Sequence, residues 1–135
     1  MVNQIVVAAA IIVASEAGPR LLIAQRRQPP ELAGRWELPG GKVMTGETEP
    51  AALARELVEE LGLPADTITV GQRLGDDVVL DSGATLRAYR VAVARAQPRP
   101  HDHEALRWVS ARELADVEWV PADRAWLGAL HAALQ

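Results

Sequence analysis

Cysteine is absent from this sequence of 135 residues, and an excess of basic charge is missing as well. Without cysteine, the chain can form neither a disulfide framework nor a thiolate metal site, and its composition fits a reducing compartment, so we expect a cytoplasmic protein. The 14 Lys and Arg residues are outnumbered by 18 Asp and Glu residues, which gives a net charge of −4. Binding to a nucleic-acid polymer is therefore not expected.

Long hydrophobic runs are also lacking. The apolar run IVVAAAIIVA occupies residues 5–14, and no Lys or Arg precedes Arg20. A secretion signal would begin with positive charge, and a span of the bilayer needs about 20 apolar residues. We therefore expect a buried strand here, and no membrane partner.

The length and composition favour one globular domain, covering residues 1–135. The hydrophobic fraction is 49% and the charged fraction is 24%, as in ordinary soluble proteins. No internal repeat or long linker divides the chain. Monomer and homodimer both remain open.

The order of the predicted elements is strands, one central helix, more strands and terminal helices. Gly62 followed by Pro64 marks the end of the central helix, which Thr48 or Glu49 begins. This order predicts an α/β (α+β) fold with a mixed sheet and helices on its faces. Strands are predicted at 5–14, 21–25, 67–74, 76–82, 85–96 and 105–110, with the first two forming a hairpin, and terminal helices at 111–117 and 121–134.

The central helix carries three closely spaced glutamates. At about 100° per residue, Glu56, Glu59 and Glu60 share one arc of the helix, next to an apolar arc that contains Leu57 and Leu61. Their mutual repulsion would become attraction around a divalent cation, and carboxylate oxygens suit Mg²⁺ or Mn²⁺. The alternative is a solvated acidic face.

The wider segment GKVMTGETEPAALARELVEELGL, residues 41–63, resembles the signature of the Nudix family. It has a glycine, a glutamate six positions later, an Arg-Glu pair after seven more residues, a Glu-Glu pair and a final glycine followed by an aliphatic residue. The flanking stretches AQRRQPPELAGRWELPGGK, TLRAYRV and EWVPAD are similar to the MutT-type and CTP pyrophosphohydrolase branches, and the likeness is closest to mycobacterial members. The resemblance implies an α/β/α sandwich.

Family members hydrolyse a nucleoside diphosphate linked to another group, with Mg²⁺ or Mn²⁺ as cofactor. The resemblance implies that Glu56, Glu59 and Glu60 bind the metal, together with the backbone carbonyl of Gly40. It further implies that Arg55 orients a glutamate and does not touch the substrate.

MutT-type enzymes add a carboxylate from a loop before a late strand, as a metal ligand or base. The loop HDHE, residues 101–104, offers Asp102, which we favour, and Glu104 as the alternative. The neighbouring His101 and His103 could bind metal or assist acid chemistry, but we expect both to be exposed loop residues.

Three more residues match substrate-binding positions of MutT-like enzymes. Arg26 and Lys42 correspond to residues that reach the phosphates, although both could be plain surface cations. Glu37, in WELPGG, could face the nucleoside or only brace its loop.

Asp123 is the candidate base-reading residue. In MutT the corresponding position holds asparagine, which both donates and accepts, whereas an ionised aspartate only accepts. It would favour the exocyclic amine of cytosine and disfavour the O6 of guanine, by roughly 1–3 kcal/mol. The alternative is that Asp123 only caps the last helix.

The sequence therefore predicts a pyrophosphohydrolase of nucleoside triphosphates, acting on CTP, dCTP or modified cytidine triphosphates in nucleotide-pool sanitation or pyrimidine turnover. The alternatives are an 8-oxo-dGTP diphosphatase of MutT type, a hydrolase of another nucleoside diphosphate derivative, and a Nudix domain that binds nucleotide without cleaving it.

Overall fold

A computed structural model describes residues 4–95 and 97–135. No helix in this part of the chain is both long and apolar enough to cross a bilayer. The strands are β1 (Ile5–Val13), β2 (Arg20–Gln25), β3 (Trp36–Glu37), β4 (Gly40–Lys42), β5 (Ile68–Val79), β6 (Thr85–Val93) and β7 (Ala105–Val109); the α-helices are α1 (Glu49–Leu61) and α2 (Leu127–Ala133); and 3₁₀ helices span Ala65–Thr67, Ala111–Asp116 and Pro121–Trp126.

The sheet is mixed because β1 is parallel to β6 and antiparallel to its other neighbours. On the edge of β1 opposite β6, the first half pairs with β4 and the second half with β2. Strand β4 therefore lies beside the start of β1, with Gly41 opposite Val7. The predicted hairpin of the first two strands is confirmed by the pairing of Ile12 with Leu21.

Alternate residues of β1 face two separate cores, as the period of a strand requires. Val7, Ala9 and Ile11 belong to the core beneath α1, and Ala8 and Ala10 belong to the core beneath the terminal helices. Helices thus cover both faces of the sheet, which confirms the expected sandwich. The first core includes Leu53, Leu57 and Leu61, and the second includes Trp119, Trp126 and Leu130.

Helix α1 begins and ends where its sequence predicts. The hydroxyl of Thr48 accepts a hydrogen bond from the N–H of Ala51 at 3.2 Å, which caps the first turn. Gly62 ends the helix in the left-handed conformation, with φ of 65°, and its N–H donates to the carbonyl of Val58. The glutamates between these two caps are therefore fixed relative to the sheet.

The sequence prediction was wrong in detail for β5. The two strands predicted at 67–74 and 76–82 are one strand, β5 (Ile68–Val79), because Gly75 adopts a left-handed conformation within the strand, where the pairing with β6 shifts register. The terminal helices lie where they were predicted; Ala111–Asp116 and Pro121–Trp126 are 3₁₀, and the α-helical part begins at Leu127. Strand β6 ends at Val93, and the predicted end at position 96 lies outside the described residues.

Candidate active site

Two glycines of β4 lie very close to neighbouring elements, Gly40 to β1 and Gly41 to α1. A Cβ atom on Gly40 would lie 1.9 Å from the carbonyl oxygen of Val7, and one on Gly41 would lie 2.3 Å from the carboxyl carbon of Glu56. At Gly40 the obstacle is backbone, so only glycine fits, whereas at Gly41 the obstacle is the end of the Glu56 side chain, which a larger residue would displace. The carboxylate of Glu56 therefore lies directly against the backbone of β4.

Replacing Gly41 with alanine is expected to lower kcat/KM at least about tenfold with only a modest loss of stability, because the new methyl displaces the end of a side chain. Replacing Gly40 is expected to destabilise the fold instead, because there the obstacle is backbone. Gly128→Ala is the matched control, since its added Cβ meets nothing within 4 Å. Steady-state kinetics and thermal unfolding measure both effects; wild-type activity in G41A would show that the position of Glu56 is not critical.

Arg55 is the centre of an ion network that joins the loop before α1 to the helix. Its guanidinium donates to both carboxylate oxygens of Glu47, at 2.6 and 3.0 Å, and to the carbonyl of Lys42 at 3.0 Å. Its Nη1 lies 2.9 Å from Oε1 of Glu56 and 3.5 Å from Oε2 of Glu59. Hydrogen bonding from Arg55 lowers the pKa of Glu47 to about 2, so this pair stays charged.

Glu60 is buried against β4, unlike its two neighbouring glutamates. Its Oε2 accepts a hydrogen bond from the N–H of Gly40 at 3.3 Å. Burial, and after it the nearby charges of Glu56, Glu37 and Asp102, together raise the pKa of Glu60 to about 8. Four carboxyl groups therefore concentrate negative potential beside the backbone of Gly40.

The donors in this region fit a hard divalent cation. Carboxylate and backbone carbonyl oxygens are the ligands that Mg²⁺ and Mn²⁺ prefer. The pKa of Glu60 is raised first by burial and then by the neighbouring carboxylates, and a cation would relieve the repulsion among these charges. Within residues 4–95 and 97–135, no three His, Asp or Glu side chains converge as a formed coordination sphere. Glu56 and Glu59 both face Arg55, so a common metal position requires rotation of side chains.

The two candidate carboxylates of the late loop point in different directions. Asp102 lines a polar cavity of about 110 Å³ together with Glu37, Gly40 and Glu60. Glu104 lies outside that lining and is 3.6 Å from Nε of Arg27. The geometry therefore brings Asp102, and not Glu104, to the carboxylates of α1.

The two histidines of the same loop differ in exposure. His101 is exposed, as predicted, and its ring covers Gly62 at the end of α1. The prediction was wrong for His103, which is 5% exposed and whose Nε2 lies 3.0 Å from Oε2 of Glu37. Its partner is 66 positions away in sequence, so no local pattern could have revealed the contact.

A larger, mainly apolar pocket of about 510 Å³ adjoins β4, and we call it the apolar pocket. Arg26, Glu37 and Lys42 contribute its charged lining, besides Asp123. Arg26 donates from Nη1 to both oxygens of Glu37, at 3.0 and 3.2 Å. The apolar part of the lining includes Leu32, Leu38, Leu80, Leu86, Val120 and Pro121.

Asp123 is the buried acidic group of the apolar pocket, only 5% exposed. Its Oδ2 accepts a hydrogen bond from the N–H of Leu38 at 2.8 Å. Burial raises the pKa of Asp123 to about 7, with a smaller contribution from the charge of Glu37. Near neutral pH the group therefore exists in both protonation states, which the sequence argument did not anticipate.

The NUDIX domain model matches residues 4–132 of the chain. A Mycobacterium tuberculosis protein named "Putative 8-oxo-dGTP diphosphatase 2" is 60% identical over 134 residues, covering 99% of this chain and 92% of that protein. The CTP pyrophosphohydrolase of Escherichia coli is 39% identical over 132 residues, covering 96% and 93%. Both relatives align along almost their whole length.

Solved structures agree with the fold. The solution structure of the Escherichia coli ORF135 protein has a TM-score of 0.76 at 35% identity and covers 98% of this chain and 91% of its own. A MutT structure, from work on Aliivibrio salmonicida and Vibrio cholerae, has a TM-score of 0.73 at 26% identity and covers 98% of each chain. The chain therefore belongs to the Nudix family, as a nucleotide hydrolase of MutT type.

Proposed function

We propose that the chain hydrolyses nucleoside triphosphates to the monophosphate and pyrophosphate, and that CTP, dCTP and modified cytidine triphosphates are preferred. The observation that carries the proposal is the buried carboxyl of Asp123 in the apolar pocket, whose lining also includes the glycines of β4. A pocket of this kind packs apolar side chains against the faces of an aromatic ring and recognises the polar edge of the ring by a few polar groups. The expected role is nucleotide-pool sanitation or pyrimidine turnover.

The metal ligands of the proposal are Glu56, Glu59 and Glu60, with the carbonyl of Gly40. When bound, a divalent cation, Mg²⁺ with Mn²⁺ as the alternative, neutralises phosphate charge and makes water a better nucleophile. Arg55 holds Glu56 in place through the 2.9 Å hydrogen bond and is itself anchored by Glu47 in the loop before the helix and by the carbonyl of Lys42 in β4.

The late loop and the charged lining supply the remaining roles. Asp102 is the carboxylate that joins the site or accepts the proton of the attacking water, because it shares the polar cavity with Glu60. Arg26 and Lys42 bind the phosphates, and Glu37 faces the nucleoside. Water attacks the β-phosphorus, the bond to the bridging oxygen of the α-phosphate breaks, and the monophosphate leaves.

We attribute base selection to the carboxyl oxygen of Asp123 that makes no hydrogen bond to the protein backbone. Its Oδ2 is held by the N–H of Leu38, so Oδ1 is the atom that can meet the base. When Asp123 is ionised, Oδ1 accepts from the exocyclic amine of cytosine and opposes the O6 oxygen of guanine. Cytidine nucleotides are therefore preferred wherever the ionised form dominates.

Hydrolysis of 8-oxo-dGTP is the second candidate, and two observations favour it. The Mycobacterium tuberculosis relative at 60% identity carries that activity in its name. The pKa of Asp123 near 7 allows a protonated form, whose hydroxyl can donate to O6 of oxidised guanine. The two candidates therefore differ in the protonation state of one buried group.

Product analysis of the purified protein with Mg²⁺ tests the proposal. CTP, dCTP, 5-methyl-dCTP, dGTP, 8-oxo-dGTP and ADP-ribose are compared by chromatography, with and without added pyrophosphatase. Best cleavage of cytidine triphosphates to monophosphate and pyrophosphate would support it, and best cleavage of 8-oxo-dGTP would replace it by the second candidate. In H₂¹⁸O, attack at the β-phosphorus places the label in pyrophosphate, whereas attack at the α-phosphorus places it in the monophosphate.

We define the preference as the kcat/KM for a cytidine triphosphate divided by the kcat/KM for 8-oxo-dGTP. This ratio is expected to rise as the pH increases through about 7, where Asp123 ionises. Asp123→Asn should lower this ratio about tenfold at pH 8 and make it insensitive to pH, because the amide accepts from Leu38 and presents a permanent donor. Pre-steady-state or competition kinetics across pH 6–8.5 measure both effects.

Asp116→Asn is the matched control, since it makes the same chemical change at an exposed position outside the apolar pocket. Its selectivity should follow the wild type at every pH. Unchanged selectivity in D123N would mean that Asp123 does not contact the base.

A further inference from the structure

His103 belongs to the late loop and lines the polar cavity beside Glu37. Its Nε2 is 3.0 Å from Oε2 of Glu37, and a carboxylate only accepts hydrogen bonds, so Nε2 carries a proton that it donates. Arg26 donates to the same carboxylate from the other side. The carboxylate of Glu37 is thus held by two donors, at the place where it lines both the polar cavity and the apolar pocket.

The other ring nitrogen shows that the imidazole is not there for packing. Nδ1 of His103 is buried without a hydrogen-bond partner among the described residues. A buried polar atom without a partner costs about 1–3 kcal/mol, and a leucine of similar volume would avoid that cost. The useful property of this side chain is therefore the donor at Nε2.

The backbone around His103 fixes where that donor lies. The carbonyl of His103 accepts from Nη2 of Arg27 at 3.0 Å, and the N–H of Glu104 donates to the carbonyl of Gln25 at 2.8 Å. Both partners belong to the end of β2 or the residues just after it. The imidazole is therefore held against the sheet, and does not swing with the exposed part of the loop.

We propose that His103 is a positioning residue, which orients the carboxylate of Glu37 towards the nucleoside in the apolar pocket. This inference rests on the proposed assignment of Glu37 to nucleoside recognition. Arg26 binds both oxygens of Glu37 and still permits the carboxylate to tilt, whereas a second donor from His103 fixes its plane. The effect is on discrimination between bases, and the phosphate chemistry is not involved.

His103→Leu and His103→Gln form the test pair. The leucine variant should reduce the ratio of kcat/KM between the best and the poorest triphosphate about tenfold, mainly through KM, while its melting temperature stays equal or rises. The glutamine variant, which can place an N–H near the position of Nε2, should retain discrimination within about threefold. Ribose 5-triphosphate, which lacks a base, should be cleaved by the wild type and both variants at the same rate.

Full discrimination in H103L would overturn the inference, and so would an equal loss in H103Q and H103L. A double-mutant cycle with Glu37→Gln adds a second criterion: H103L should change discrimination no further in that background. A further tenfold loss there would show that His103 does not act through Glu37. His103→Met replaces the leucine variant if the latter does not fold. Because the ratio is taken from whichever base is best, failure of the cytidine proposal leaves this test valid.

Discussion

Replacing Glu59 or Glu60 with glutamine is expected to lower kcat by about 10²- to 10³-fold while the protein stays folded. Glutamine keeps the shape of the side chain and removes the charge that a cation needs. The side chain of Glu59 is 60% exposed, so its loss costs little stability. Burial already disfavours the ionised form of Glu60 in the metal-free protein, so the neutral amide should not destabilise the fold. The loss of kcat is measured as turnover of the best nucleotide at saturating Mg²⁺, and the stability is measured by thermal unfolding.

Glu49→Gln is the control on the same helix. The carboxylate of Glu49 pairs with Arg87 at 2.7 Å and accepts from the hydroxyl of Tyr89 at 2.6 Å, on the side of β6. This variant should lose some stability and keep kcat, the opposite of the pattern expected for Glu59 and Glu60. Wild-type turnover in E59Q and E60Q would show that the metal assignment is wrong.

The elements that the sequence predicted well are those that depend on neighbours in the chain. The ends of α1 follow from the cap at Thr48 and the left-handed glycine at position 62, and both signals are local. Strand β5 was predicted as two strands because Gly75 is the residue of a turn as well as of a bulge. A turn and a bulge at Gly75 can be distinguished only by the pairing of β5 with β6, which is a tertiary feature.

In the candidate site, too, the sequence predicted features that depend on neighbours in the chain and missed features that depend on tertiary contacts. The grouping of Glu56, Glu59 and Glu60 follows from the helical period, and sequence alone sufficed to propose it. The burial of Asp123 and His103 depends on segments more than 60 positions away, through Leu38 and Glu37. Sequence reasoning therefore treated Asp123 as permanently ionised and His103 as exposed, because both properties arise from surroundings that folding creates.

Magnesium binding is expected to release close to one proton at pH 7 and to tighten as the pH rises towards 8. Glu60 has a pKa of about 8 without metal, so at pH 7 about nine-tenths of it is protonated, and a cation stabilises the charged form. Below pH 8 the Kd should fall about tenfold per pH unit, and above pH 8 it should level off. Calorimetric titration in two buffers with different ionisation enthalpies counts the protons.

The stability of the metal-free protein should fall as the pH rises, whereas the affinity for Mg²⁺ increases. A carboxyl whose pKa is raised on folding stabilises the fold fully below its unfolded pKa, near 4.5, and that stability is lost as pH rises through 8. Stabilisation by Mg²⁺ should therefore grow from pH 6 to about 8 and then level off. Glu60→Gln should abolish the proton release, whereas Asp123→Asn, which removes the other carboxyl with a raised pKa, should leave it intact. Proton release that persists in E60Q would mean that another group ionises when the metal binds, and Glu60 would then not be the ligand that couples metal binding to pH.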